Sequence, residues 1–241
     1  MRVFAGPNGS GKTTIFKGLL KGKNVSMGIF VNADEIEKDL KLKKILDFNQ
    51  FHINVNQDEL IQFFQYSKFA PTKRNEKNLF EKLEVRNNFL NVNTSIDSYL
   101  AADLAEFIRQ KLIHARKSFT YETVMSHPSK IDFMKFAMEQ GFKVYLYFIA
   151  TEDPQINVSR VKLRVAQNGH NVDSEIIKKR YYNSLNNLKT AVINSNRAFI
   201  FDNSQKQANF ICEIIEGSKG KLNKPDEVPY WVATYLLKNI E

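Results

Sequence analysis

A single cysteine, Cys212, stands in a chain of 241 residues. That scarcity excludes an internal disulfide and any metal site built from several cysteines, and it fits a reducing cytoplasm. No apolar run reaches the ~18 residues that a membrane-spanning helix requires. No secretory leader is expected, because the glycines of a phosphate-loop pattern begin at Gly6. Low-complexity tracts are missing as well. With 43% hydrophobic and 25% charged residues, the composition argues for one α/β domain with a substantial core and against global disorder. Between Lys41 and Asn93 glycine is absent and Pro71 is the one proline. A stretch without hairpin punctuation, with apolar residues at helical spacing in "DELIQFF" and "KNLFEKLEV", reads as a helical insertion at about 41–93.

Charge is abundant but unbalanced, at +9 net with a pI near 9.4. Such a balance favours acidic ligands, whether nucleotides, sugar phosphates, nucleic acid or an acidic protein, without choosing among them. Basic residues concentrate at Arg160, Lys162, Arg164, Lys178, Lys179 and Arg180. By charge alone this is equally a solvated helical face.

Apolar strands alternate with amphipathic helices along the chain. "RVFAG", "GIFVN", "SFTYE", "KVYLYFIA" and "RAFIFDN" read as five strands. "SIDSYLAADLAEFIRQKLIHA" places Ile96, Leu100, Leu104, Phe107, Ile108 and Leu112 on one helical face, and Gly141 closes the helix "KIDFMKFAMEQG". Further helices are expected at about 154–167, 174–194, 205–216 and 226–239. The pattern implies a P-loop NTPase-type parallel sheet of about five strands flanked by helices, within one domain spanning 1–241. The helical insertion and a helical lid at about 154–180 are its appendages.

"GPNGSGKT", from Gly6 to Thr13, fulfils G-x-x-x-x-G-K-[ST] between a strand and a helix. Glycines at Gly6, Gly9 and Gly11 let the backbone, through Pro7, Asn8 and Ser10, curl so that its successive N–H groups face phosphate oxygens. The helix that follows, through Thr13 and Thr14, adds the positive end of its dipole. Lys12 is expected at the β/γ-phosphates and the Thr13 hydroxyl on Mg²⁺. "NKPD" at 223–226 matches a guanine signature literally, but it follows "GSKGKL" rather than a buried strand, so ATP is the expected nucleotide.

Carboxylates occupy two strand ends, where open α/β sheets bind ligands. Asp34 in "FVNADEI" can accept the proton of a substrate hydroxyl, or serve as a first-turn helix acid. Glu122 in "FTYET" can hold Mg²⁺ or contact the acceptor. Thr123 and Ser126 can hydrogen-bond a polar acceptor, or belong with Glu122 to a helix-capping cluster. Arg160 and Arg164, at i and i+4, can clamp a transferring phosphoryl group. Gly169 offers a hinge, Arg180 follows on the next helix, and His170 fits a lid or substrate contact better than a metal ligand.

Taken together, "VFAGPNGSGKTT", "NADEI", "SFTYET" and "SRVKLRVAQNGHNV…IIKKRYYNSL" resemble the zeta-toxin-like kinases in order and spacing. The resemblance covers most of the chain outside 41–93. It implies a bacterial ATP-dependent phosphotransferase whose acceptor is a sugar nucleotide such as UDP-N-acetylglucosamine, held inactive by a small helical antitoxin protein. It also implies roles: Asp34 as general base, Lys12 on the phosphates, Glu122 closing the third strand, Arg164 in the lid, with Arg160 and Arg180 beside it. The family's "GGHxVP" turn reads "NGHNVD" here, with Asn168 and Asp173 as departures.

Two other readings compete. A nucleic-acid end kinase would use the positive charge along a phosphate backbone, but no aromatic-interleaved basic run supports it. A nucleotide-gated regulatory or binding module would not need Asp34 for its function.

Overall fold

The computed structural model describes residues 1–21, 26–67, 69–166 and 172–238, and the chain forms two compact units. The first joins Met1–Met27 to Thr120–Glu241, and the second is Gly28–Phe119. No helix among the described residues is long and apolar enough to cross a membrane.

The first unit opens with β1 (Arg2–Ala5) and α1 (Lys12–Lys21). The second contains β2 (Ile29–Val31), α2 (Ala33–Lys43), β3 (Ile45–Asp47), α3 (Gln57–Tyr66), α4 (Phe69–Lys73), β4 (Leu83–Arg86), β5 (Phe89–Val92) and α5 (Ser98–His114). The chain then returns through β6 (Phe119–Thr123), α6 (Ser129–Glu139), β7 (Tyr145–Ala150), α7 (Pro154–Val165), α8 (Ser174–Asn186) and α9 (Leu188–Ile193). It ends with β8 (Arg197–Asp202), β9 (Asn209–Ile215) and β10 (Lys219–Leu222).

In the first unit the strands run in the order β10-β9-β8-β7-β1-β6. β1 pairs in parallel with β6, Phe4 opposite Glu122, and with β7, Phe4 opposite Tyr147. β7 and β8 are also parallel. Val3, Phe4, Ala5 and the run Leu146–Ala150 are buried, as befits strands covered on both faces. The Phe4 and Tyr147 rings stack at 4.6 Å, and Tyr147 stacks on Phe199 at 4.9 Å. All five strands expected from the sequence are present, within an α/β fold whose central sheet is mainly parallel.

Three expectations need correction. The segment expected as a helix at 205–216 is instead β9, which pairs antiparallel with β8 and then with β10. "FICEII" is rich in β-branched residues, and the open edge of β8 supplies a ladder for it. Glu216 (φ 51) and Gly217 (φ 71) make the return, both in the left-handed region that a tight hairpin uses. The helix expected at 226–239 is shorter, with helical turns at Tyr230–Val232 and Ala233–Leu237. The helix expected at 174–194 breaks at Asn187, whose side chain donates to the Met125 carbonyl at 2.9 Å.

The 41–93 segment is not wholly helical either. "DELIQFF" lies on α3, started by a capping box between Asn56 and Glu59. "KNLFEKLEV" instead runs through a single tight turn into β4, part of an antiparallel sheet ordered β3-β5-β4. Asn87 (φ 49) and Asn88 (φ 66) form its two-residue turn, and Arg86 pairs with Phe89. Leu46, Leu83, Leu90 and Val92 from this sheet are buried, as are Leu100, Leu104, Phe107, Ile108 and Leu112 on the predicted face of α5.

Candidate functional site

The phosphate loop lies between β1 and α1. Its glycines are dictated by close approaches. A Cβ on Gly9 (φ +76) would meet the Asn157 carbonyl oxygen at 2.6 Å, and one on Gly11 (φ +94) the Asn203 side-chain nitrogen at 2.1 Å. The Gly6 N–H donates to the Thr123 carbonyl at 3.2 Å, and the Ser10 N–H to the Pro7 carbonyl at 3.3 Å. The N–H groups of Asn8, Gly9, Gly11 and Thr13 have no hydrogen-bond partner among the described residues. Ser10 is fully buried, and its hydroxyl and the Asn8 Oδ1 lack hydrogen-bond partners among the described residues. Free amides on a loop that opens a helix make an anion-binding concavity.

Lys12 and Thr13 begin α1. The Lys12 ammonium donates to the carbonyls of Gly6 at 2.8 Å and Pro7 at 2.9 Å, so it folds back over the loop. Thr13 Oγ1 donates to Glu122 Oε2 at 3.1 Å. A hydroxyl and a carboxylate oxygen this close, beside a phosphate cradle, are a donor pair of the hard-oxygen type Mg²⁺ prefers. Thr14 is exposed, with its N–H donating to the Gly11 carbonyl at 3.0 Å. Beyond Glu122, Thr123 Oγ1 accepts from the Met125 N–H at 3.1 Å and shapes the turn; Ser126 is half-buried one residue later.

Sequence reading missed two asparagines that hold this loop. Asn157, fully buried on α7, donates through Nδ2 to the Asn8 carbonyl at 2.6 Å. Its Oδ1 accepts from Thr151 Oγ1. The Thr151 carbonyl in turn accepts from the Tyr181 hydroxyl at 2.6 Å, and burial raises the Tyr181 pKa, so this phenol stays a donor. Asn203, just past β8, donates through Nδ2 to the Ser10 carbonyl at 2.8 Å. An asparagine after a strand or in the first turn of a helix usually signals a cap, which is why its spacing alone gives no hint of a loop contact.

The basic residues of the expected lid separate into different surroundings. Arg160 donates to the Asn203 carbonyl at 2.7 Å and more distantly to the carbonyls of Ser204 and Gln205. Arg164 is exposed in the last turn of α7, and Arg180 is half-buried on α8. The two helices pack through Val158, Val161 and Ile177. His170, with the Asn168–Gly169 turn, lies outside the described residues. "NKPD" is a surface loop opening a short helical turn, with no buried strand before it.

Asp34 belongs to the other unit. Asn32 caps α2 by accepting the Asp34 N–H at 2.8 Å, which leaves Asp34 exposed in the first turn. Along the same helix Asn32, Glu35 and Asp39 line a cavity of about 360 Å³ together with Gln50 and His52. No group of three or more His, Cys, Asp or Glu able to hold a metal occurs among the described residues.

Comparison with known proteins bears on the family and the fold. The family model described as Zeta toxin matches residues 92–211. An uncharacterized protein of Haemophilus influenzae is 41% identical over 63 residues, covering 26% of this chain and 45% of that protein. Among solved structures, the AvrRxo1-ORF1:AvrRxo1-ORF2 complex with sulphate ions superposes with a TM-score of 0.57 at 13% identity. That match covers 93% of this chain and 61% of the other. The same complex with ATP gives 0.56 at 14% identity, covering 93% and 60%. The chain therefore spans less than two thirds of the length of each of these relatives, and the structural likeness is one of fold.

Proposed function

We propose that this chain, whose residues 92–211 match the zeta toxin family model, is an ATP-dependent phosphotransferase that moves the γ-phosphate to a hydroxyl of a small acceptor. The observation that carries the reading is the pairing of free loop amides with Lys12 and with Thr13–Glu122. A structure of similar fold crystallised with ATP is consistent with that nucleotide.

In this reading the amides of Asn8, Gly9, Gly11 and Thr13 bind the phosphate chain. Lys12 exchanges the carbonyls of Gly6 and Pro7 for phosphate oxygens. Thr13 and Glu122 would hold Mg²⁺, which neutralises charge on the β/γ-phosphates when bound. Asp34 takes the proton from the acceptor hydroxyl as its oxygen bonds the γ-phosphorus and the bond to the β–γ bridging oxygen breaks. Arg164 and Arg180, with His170, are assigned to the transferring group and acceptor; Thr123 and Ser126 are assigned to the acceptor. Arg160 stabilises the 203–205 loop by its carbonyl contacts, and its sequence-derived role as a clamp is part of the same proposal.

UDP-N-acetylglucosamine is the first acceptor to test, and a small helical protein the first partner; relatives crystallised as two-protein complexes support looking for one. Incubation with γ-labelled ATP and a panel of sugar nucleotides, sugars and oligonucleotides, read by mass spectrometry, tests the proposal. A labelled small-molecule product supports it. Release of inorganic phosphate alone in every mixture would count against a transferase.

A further inference from the structure

We propose that Asn157 and Asn203 are positioning residues that pre-form the phosphate loop before nucleotide arrives, an inference that rests on the ATP-binding reading above. A phosphate cradle works only if the loop's N–H groups point inward, which requires its carbonyls to point outward to other partners. Four of the loop's carbonyls have side-chain partners of this kind. Gly6 and Pro7 accept from Lys12, Asn8 accepts from Asn157, and Ser10 accepts from Asn203. Lys12 is needed elsewhere once phosphate binds, so the two asparagines are the side-chain holders that remain.

The chemistry demands an amide at both places. Asn157 is fully buried and satisfied at both ends, receiving from Thr151 and donating to Asn8. A carboxylate of the same shape would put oxygen against the Asn8 carbonyl oxygen and a negative charge beside a phosphate site. The two braces stand on different elements, α7 and the end of β8, and each is backed up independently. Tyr181 fixes Thr151 behind Asn157, and Arg160 fixes the backbone of Asn203. The same two residues set the glycines of the motif, since Gly9 lies against Asn157 and Gly11 against Asn203. A pattern usually credited to phosphate contact alone is thus also a packing requirement of these braces.

The test uses Asn157→Asp, Asn157→Ser, Asn203→Asp and Asn203→Ala in the full chain, with ATP affinity by calorimetry and melting temperature without nucleotide. The expected result is a rise in Kd for ATP of roughly tenfold or more in each aspartate variant, as for loss of a buried hydrogen bond to a preorganised site. KM for ATP rises more than kcat at saturating ATP falls; the nucleotide-free melting temperature changes little in the Asn203 variants and falls in the Asn157 variants, whose side chain is fully buried. Should the Asn157 variants not fold, the Asn203 variants carry the test from a separate element. Wild-type affinity in folded variants of both positions overturns the inference while leaving the ATP reading intact. Absence of ATP binding by the wild-type chain overturns both.

Discussion

Thr13 Oγ1 donates to Glu122 Oε2 at 3.1 Å, tying the first turn of α1 to the end of β6 across 109 residues of sequence. Both side chains are of the kind that hold Mg²⁺ beside a nucleotide. Glu122→Gln keeps the shape and a hydrogen-bond acceptor for Thr13 but removes the charge. The expected outcome is an unchanged melting temperature and a Mg²⁺ requirement for ATP turnover raised about tenfold or more, seen in a Mg²⁺ titration. An unaltered titration would remove Glu122 from the metal site.

Asp34 is exposed, and the cap of its helix is Asn32 rather than its own carboxylate. Asp34→Asn should therefore change stability by less than about 0.5 kcal/mol and leave ATP affinity intact. Transfer to acceptor should fall by about two decades or more, the scale of general-base loss. Single-turnover transfer with ATP in excess checks it; wild-type transfer would assign the proton to another group.

Asn88 holds the β4–β5 turn in a left-handed conformation and also ties it to its surroundings. Its Nδ2 donates to Asn49 Oδ1 at 2.7 Å and to the Ile53 carbonyl at 2.8 Å, and its Oδ1 accepts the Val55 N–H at 2.9 Å. Asn88→Ala loses these three bonds and strains the turn, at a cost of about 2–3 kcal/mol. Asn87→Gly suits the same positive φ and should stay within about 1 kcal/mol. Urea unfolding of the two variants distinguishes turn geometry from side-chain anchoring.

Burial pushes the Cys212 thiol up to about 11 from its ordinary value of 9.0. The folded state thus holds the proton more tightly than the unfolded chain. That contribution to stability is complete below pH 9 and disappears as pH rises through 11. At pH 8 a thiol reagent should label the native protein far more slowly than the urea-unfolded chain. Equal labelling rates would show the thiol to be accessible and unshifted.

The parts of the molecule that were legible beforehand are those whose chemistry is local. The phosphate loop follows from eight consecutive residues, and the strand before it and the helix after it from the runs that flank them. The buried face of α5 follows from apolar residues at helical spacing, and β7 from an unbroken apolar run. The parts that were not legible depend on partners far along the chain. "FICEII" and "KLEV" carry apolar residues that suit either a helix or a strand; "RNNF" was the available clue, since two asparagines accept the left-handed turn of a tight hairpin.

What the sequence determined by itself is the chemistry at the loop: glycines that free the backbone, a lysine and a threonine at a helix start, and carboxylates placed after strands. Tertiary structure decided which of the ambiguous segments became strands, because a strand is stable only where another edge offers its ladder. It also decided what holds the loop open, because Asn157 and Asn203 reach carbonyls 149 and 193 residues away. No periodicity records such contacts; they exist only once α7 and the end of β8 have packed beside β1.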